Sequence, residues 1–298
     1  MTIKHLVISG GGPSGLLSYG VLSELHKKGF WKLSDIKSMY GCSIGAYIGF
    51  LLSLGYEWDW LDDYFIKRPW EKLVAASTTR LTEIYEKKCL LNEHFYTEAI
   101  KPLLLAKDLS ETITLAEFYA YNQIDIHMYA VNINAIKIEK IDISYKTHPN
   151  LSLIKALRMT MAVPIMFEPI FMDDGCYIDG GLMHNFPLND CIQQQECETD
   201  EILGLKNIWQ ENITQPINEK SSIFDFLLEI IKKMRASIDT EPEQTEIKYI
   251  VNCITDEFAS FDKWVEALSS ESMRKKLVEN GRNQADLFLA YVNNMSKK

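Results

Sequence analysis

The sequence predicts an α/β fold with a central, mostly parallel sheet flanked by helices. Three observations predict it. Short β-rich runs alternate with helical patterns from the N-terminus onward, the arrangement that parallel strands with crossover helices require. The first two strands end in glycine-rich turns that lead directly into apolar helices. The 298 residues are 47% hydrophobic and 24% charged, an ordinary globular balance with enough apolar material for a large core.

Residues 3–8 (IKHLVI) read as the first strand, stopping at Ser9 and the glycines that follow. A helix comes next, with Leu16, Leu17, Leu22 and Leu25 on its apolar side and Gly29 as its stop. Ile36–Tyr40 is expected as the second strand, and the apolar helix from Ile44 to Leu54 ends at Gly55. From Glu57 to about Lys107 the pattern is mainly helical. Thr114 and Glu117 form a capping box for a further short helix. Asp125–Asn132 and Ile136–Ser144 are β-rich and read as a hairpin or as adjacent strands. Asn150 is the expected cap of a helix to about Thr160, which must stop before Pro164 because a residue preceding proline avoids helical geometry. Cys176–Ile178 reads as a brief strand that delivers Asp179, Gly180 and Gly181. Glu201–Leu205 and Ile247–Ile254 read as late strands, and 221–238 and 270–293 as helices. With no repeat period and no Gly/Ser or Pro-rich linker, residues 1–298 are read as a single domain.

Composition excludes several functions. A net charge of −10 argues against broad nucleic-acid binding, which needs a basic face. The N-terminus lacks the apolar core of a signal peptide, and no run approaches the roughly 18 to 20 apolar residues needed to cross a bilayer. A cytoplasmic location is expected, with transient contact at a membrane surface. The six cysteines (42, 89, 176, 191, 197 and 253) form no CxxC pair and are expected to be reduced. Neither their spacing nor the scattered histidines suggest a zinc site, so no metal and no cofactor is expected.

Three segments carry chemistry. Gly41-Cys42-Ser43-Ile44-Gly45 fits G-x-S-x-G between a strand and an apolar helix, the setting of a nucleophile elbow. So sharp a turn leaves no room for a Cβ on either side of the serine, hence Gly41 and Gly45. The helix that begins at Ile44 points N–H donors toward developing negative charge. Second, Gly10, Gly11, Gly12 and Gly15 surround Pro13 and Ser14 directly after the first strand, where successive backbone N–H groups can converge on an anion. This loop reads either as an oxyanion hole or as a dinucleotide loop, with Asp35 near the distance of a ribose-binding acid; but Asp35 precedes the second strand instead of ending it, which favours the oxyanion hole. Third, Asp179-Gly180-Gly181 is an ordinary turn sequence taken alone, yet an aspartate on a strand-end loop is a suitable base for a serine. Among the histidines, His184 is nearest to that loop and is the one candidate for a triad.

Together and in this order, the three segments resemble those of the patatin-like phospholipase family: a G-G-G-x-[KR]-G loop, G-x-S-x-G, and D-G-[AG]. A fourth segment, Ala156 to Pro169 (ALRMTMAVPIMFEP), is similar to the family's A-x-x-A-[VIS]-P-x-x-F-x-P stretch. The likeness spans about residues 3–210, with 211–298 as a helical C-terminal extension. It implies a three-layer patatin-like fold and a lipid acyl hydrolase that cleaves fatty-acyl esters through a Ser43–Asp179 dyad and an acyl-enzyme. It also implies an oxyanion hole drawn from Gly10, Gly11, Gly12, Gly15 and Ile44, with no cofactor. Ser14 departs from the pattern, standing where the family carries Lys or Arg. The acyl chain needs an apolar cleft, for which Trp58–Trp70 and Met159–Phe167 are candidates; the tryptophan-rich segment is also a candidate lid or membrane-docking surface. The competing readings are a lipid-binding scaffold without turnover and a nucleotide-binding enzyme using the Gly10–Gly15 loop.

Overall fold

The computed structural model describes residues 2–209, 217–238, 245–255 and 261–295. Strand β1 (His5–Ile8) runs into the glycine loop and helix α1 (Gly15–Lys27). Strand β2 (Ser38–Cys42) runs into the tight turn at Ser43 and helix α2 (Ile44–Ser53). The second strand therefore starts and ends two residues later than its composition suggests. A 3-10 turn occupies Leu33–Asp35, and parallel pairing with β1 on one side and β4 (Asp125–Asn132) on the other holds the chain extended through Gly41 and Cys42.

The mainly helical stretch comprises α3 (Trp58–Asp62), a π-helical turn at Asp63–Lys67, α4 (Trp70–Ser77), α5 (Leu81–Lys87) and α6 (His94–Leu105). The short strand β3 (Cys89–Leu91) interrupts it, paired in parallel with β6 (Ile165–Phe167) in a sheet of their own. Helix α7 (Leu115–Asn122) opens on the expected capping box: Glu117 N–H donates to Thr114 Oγ1 (3.2 Å) and Thr114 N–H to Glu117 Oε2 (2.8 Å). Helix α8 (Leu153–Met161) is capped by the Ser152 side chain, not by Asn150. Strands β5 (Glu139–Ile143), β7 (Ile170–Met172) and β8 (Gly175–Asp179), helix α9 (Leu188–Gln195), strands β9 (Ile202–Trp209) and β10 (Tyr249–Thr255), and helices α10 (Ile223–Ile238), α11 (Phe261–Ser269) and α12 (Glu271–Met295) complete the described chain. Helix α9 and the edge strand β7 were not legible from periodicity.

The eight-stranded sheet follows the hydrogen-bonded path β10-β9-β1-β2-β4-β8-β7, with β5 also paired to β4. Strands β10, β9, β1, β2 and β4 are parallel, whereas β5 and β8 meet β4 antiparallel. Alternation along the strands sorts side chains onto two faces. Leu6, Ile8, Met39 and Met128 join the large core with α1, α2 and α12. Val7, Tyr40, Tyr129 and Ile202 join a smaller cluster with Leu188 and Cys191 of α9. Helices thus cover both faces. Helix α12 lies on α1 at backbone distance: a Cβ on Gly20 would meet Val278 O at 2.2 Å, and one on Gly281 would meet Leu17 O at 2.2 Å.

One detail of the pairing positions the site. Strand β5 occupies one edge of β4 from Met128 to Asn132. Strand β8, which pairs with Ala130–Asn132, must therefore use the other edge, the one that β2 occupies up to Tyr129. Strands β2 and β8 run toward each other along that edge and meet end to end. Cys42 lies opposite Tyr129 and Asp179 opposite Ala130, consecutive residues of β4.

Candidate active site

Ser43 sits at the junction of β2 and α2 with φ 53° and ψ −127°. That backbone conformation is rare for a residue with a Cβ, and strain of this kind persists only where the surroundings over-determine it. Here the surroundings are backbone. A Cβ on Gly45 would lie 2.2 Å from Ile8 O, and one on Gly41 would lie 2.5 Å from Ala46 N. The two flanking glycines therefore do what their place in the motif suggests, letting α2 start against the ends of β1 and β2. A residue that motif reading passed over completes the turn: buried Thr160 of α8 accepts from Ser43 N–H (3.0 Å) and donates to Tyr129 O (2.6 Å).

Asp179 ends β8 and is buried, as Ser43 is. Its N–H donates to Ala162 O (3.0 Å), and its Oδ1 accepts from Gly181 N–H (2.7 Å) and faces the Cys42 thiol at 3.8 Å. Gly180 presses on the neighbouring strand, where a Cβ would fall 2.3 Å from Tyr129 O. The elbow and the aspartate loop, far apart in sequence, are thus packed side by side.

The glycine loop closes the group. A Cβ on Gly10 would stand 3.1 Å from Ser43 Cβ. Asn185, six residues beyond Asp179, ties this loop to the aspartate loop: its backbone O accepts from Gly10 N–H (3.2 Å), and its Nδ2 donates to Gly10 O (3.2 Å). Asn207 holds the other side, with Nδ2 donating to Ser9 O at 3.3 Å. Neither asparagine stood out in the sequence, although Asn185 follows the Asp179 motif closely enough to have been tested. Ser14 is fully buried, and its hydroxyl donates to Gly11 O at 2.7 Å. Because C=O and N–H of a trans peptide point in opposite directions, this bond turns the Gly12 N–H away from Ser14. The departure from Lys or Arg at this position is accommodated as an internal brace.

The five donors named from sequence divide here. Gly10 N–H is committed to Asn185 O, and Gly15 N–H to Gly12 O and Pro13 O as the cap of the preceding turn, so these two are withdrawn as anion donors. Gly12 and Ile44 are first residues of helical turns, where the intrahelical pattern supplies no acceptor. His184, the triad candidate, has its Nε2 bonded to Asp190 and its ring packed against Tyr129. Asp35 lies in the turn before β2, at the opposite end of the sheet from the glycine loop, which removes the geometry of a dinucleotide site.

Beside Ser43 opens a cavity of about 110 Å³ with almost wholly apolar walls. Phe65 and Trp70 come from the tryptophan-rich segment, and Met161, Val163 and Phe167 from the stretch before β8. Trp264 of α11 covers Gly12, where a Cβ would lie 2.0 Å from the indole. Trp58 instead donates from Nε1 to His26 Nδ1 (2.9 Å), and exposed Trp60 stacks on Tyr56. A hydroxyl, a carboxylate and a glycine loop thus meet next to an apolar hole, an arrangement suited to attack on an acyl carbonyl with its hydrocarbon chain held away from water.

Comparison with known proteins agrees with this architecture. A family model described as patatin-like phospholipase matches residues 6–192. The probable lipid hydrolase 463L of Invertebrate iridescent virus 6 is 28% identical over 225 residues, 71% of this chain and 73% of the viral protein. The uncharacterized protein R571 of Acanthamoeba polyphaga mimivirus is 26% identical over 187 residues, 62% of this chain and 60% of that protein. Among solved structures, VipD from Legionella pneumophila superposes with a TM-score of 0.52 at 15% identity, over 98% of this chain and 67% of VipD, a likeness of fold.

Proposed function

The chain belongs to the patatin-like phospholipase family, and from that premise we propose that it is a lipid acyl hydrolase of phospholipase A or lysophospholipase type, with Ser43 as nucleophile and Asp179 as base. In this scheme Asp179 takes the Ser43 hydroxyl proton as Oγ attacks the ester carbonyl. The N–H groups of Gly11, Gly12 and Ile44 hold the oxyanion, donors of a kind worth about 3 to 4 kcal/mol each when removed singly. Collapse of the tetrahedral intermediate expels the alcohol, which takes the proton from Asp179, and leaves the acyl group on Ser43. Water then attacks the acyl carbonyl, giving its proton to Asp179; the fatty acid departs and the proton returns to Ser43.

The observation that carries this reading is the strained Ser43 turn opening on an apolar cavity, with Asp179 at the facing strand end. The cavity's apolar walls favour a fatty-acyl ester over a small polar one. The name of the iridescent virus relative, a probable lipid hydrolase, points the same way. The test is fatty-acid release from phospholipid and lysophospholipid vesicles by wild type, Ser43→Ala and Asp179→Asn. Both variants are expected to lose at least about 10⁴-fold in rate while keeping their circular dichroism. A fluorophosphonate probe should label wild type at Ser43 only. Turnover retained by both folded variants rejects the dyad; lipid binding without any turnover by wild type favours the scaffold reading.

A further inference from the structure

At the opposite end of the sheet from Ser43, three potential metal ligands that are widely separated in sequence converge. We propose that His5, Cys191 and Cys197 form a binding site for one zinc ion. Their ligand atoms all lie within 4.8 Å of one another. His5 is the first residue of β1 and, by strand alternation, lies on the face of Val7, the face that α9 covers. Cys191 is in α9, and Cys197 follows the left-handed residue Glu196 (φ 47°) that turns the chain back after the helix. Cysteine spacing alone concealed the group, because its third member stands at the other end of the chain.

The chemistry of the set selects the ion. Two thiols and an imidazole are soft and borderline ligands that suit zinc and not magnesium or calcium, which require oxygen. Zinc holds sulfur at about 2.3 Å and nitrogen at about 2.0 to 2.1 Å, so tetrahedral ligand atoms lie about 3.5 to 3.8 Å apart. Side-chain adjustments on the order of 1 Å bring the three groups to that spacing. A water on the partly exposed Cys197 side supplies the fourth position.

The surroundings hold the imidazole in place. His5 Nδ1 is bonded to the buried Ser38 Oγ at 2.8 Å, which fixes the ring, a supporting contact of the kind that orients metal-bound histidines. A dication compensates two thiolates that would otherwise be costly to bury together. Such a site would staple the start of β1 to α9 and to the turn before β9.

The test uses the full chain, reduced and stripped by a chelator that is then removed. Zinc is titrated in competition with a chromogenic chelator, and cobalt is titrated as a spectroscopic substitute. Wild type is expected to bind one ion per chain, to show thiolate-to-cobalt charge-transfer absorption, and to melt at a higher temperature with zinc. Ser38→Ala should weaken binding about 10-fold by freeing the imidazole. Cys197→Ser, at a half-buried position where folding is expected to persist, should weaken it further and remove most of the cobalt band; His5→Gln is the second variant. Failure of the reduced protein to take up either metal overturns the proposal, including the case in which Cys191 and Cys197 are found only as a disulfide. Uptake undiminished in folded Cys197→Ser and His5→Gln also overturns it.

Discussion

The two ends of the central sheet are built on opposite principles. Where β1 and β2 finish, side chains have been removed. Gly41, Gly45 and Gly180 bring backbone against backbone, Gly10, Gly11, Gly12 and Gly181 let side chains close in, and Ser43 is held in a strained turn beside an apolar cavity. Toward the strands' starts, polar and charged side chains crowd in. There His127 is hydrogen-bonded to Asp142, lies 3.1 Å from Asp125 as an ion pair, stacks on Tyr40 at 4.3 Å between ring centroids, and shares Asp125 with Lys146 and Gln195. In the proposed reaction, amide groups and one hydroxyl must stay open to a substrate, which requires that nothing else fill the space. The other end fills its space with paired charge. The difference teaches that one sheet can separate the demands of the proposed reaction from those of stability by assigning them to its two ends.

The largest effect expected comes from restoring a side chain where none fits. Gly45→Ala forces a Cβ to 2.2 Å from Ile8 O. It should cost about 3 kcal/mol of stability and lower ester hydrolysis by more than about 10³-fold, read from denaturant midpoints and from fatty-acid release. Normal turnover in that variant would break the contrast at once.

The next test addresses the charged end. Burial alone would lower the His127 pKa, but the carboxylates of Asp125 and Asp142 outweigh burial and raise it to about 9. The stabilisation is therefore fully present below the unfolded value near 6.5 and is lost as pH rises through about 9, on the order of 3 kcal/mol. Asp125 behaves inversely: burial opposes its charged form, yet His127 and Lys146 hold its pKa at about 2, so its contribution is present above about 3.8 and lost as pH falls through about 2. His127→Gln should flatten the alkaline limb of a stability-against-pH curve while changing the hydrolysis rate less than about twofold. A large rate loss with stability unchanged would reverse the assignment of roles.

Asn185→Ala sharpens the comparison from the reactive side. Removing the amide that donates to Gly10 O should lower the rate about 10- to 100-fold with a stability change of only about 1 kcal/mol. The smallest effect is expected from Ser14→Ala, which removes the brace on Gly11 O and should cost about 1 kcal/mol of transition-state binding, near fivefold in kcat, with KM little changed. An equal fall in stability and rate in either variant would mean that the glycine loop is held by packing and not by these bonds.

Much of this molecule could be read from residue order because local steric demand leaves a local record. The capping box at Thr114 and Glu117, strand β4 from Asp125 to Asn132 and the glycines around Ser43 each answer to neighbours within a few positions. Helix α9 escaped notice because Pro187 and a run of glutamines disguise its short apolar face, and the cap of α8 fell to Ser152 because pairing between Thr114 and Ser152 sets where the chain turns. Gly10 and Gly15 read as loop donors in the sequence, whereas their N–H groups bond to Asn185 O and to Gly12 O and Pro13 O.

Residue order dictated the alternation of strands and helices, the elbow and the family to which the chain belongs. Only folding in three dimensions decided that β8 meets β2 end to end, bringing Asp179 to Cys42 across 137 residues of chain, and that His5 faces α9. The reason is physical. A turn or a cap is a contest among atoms a few bonds apart, so residue types record its outcome. Which edge of β4 a distant strand takes depends on what already occupies the other edge, and no local pattern encodes that.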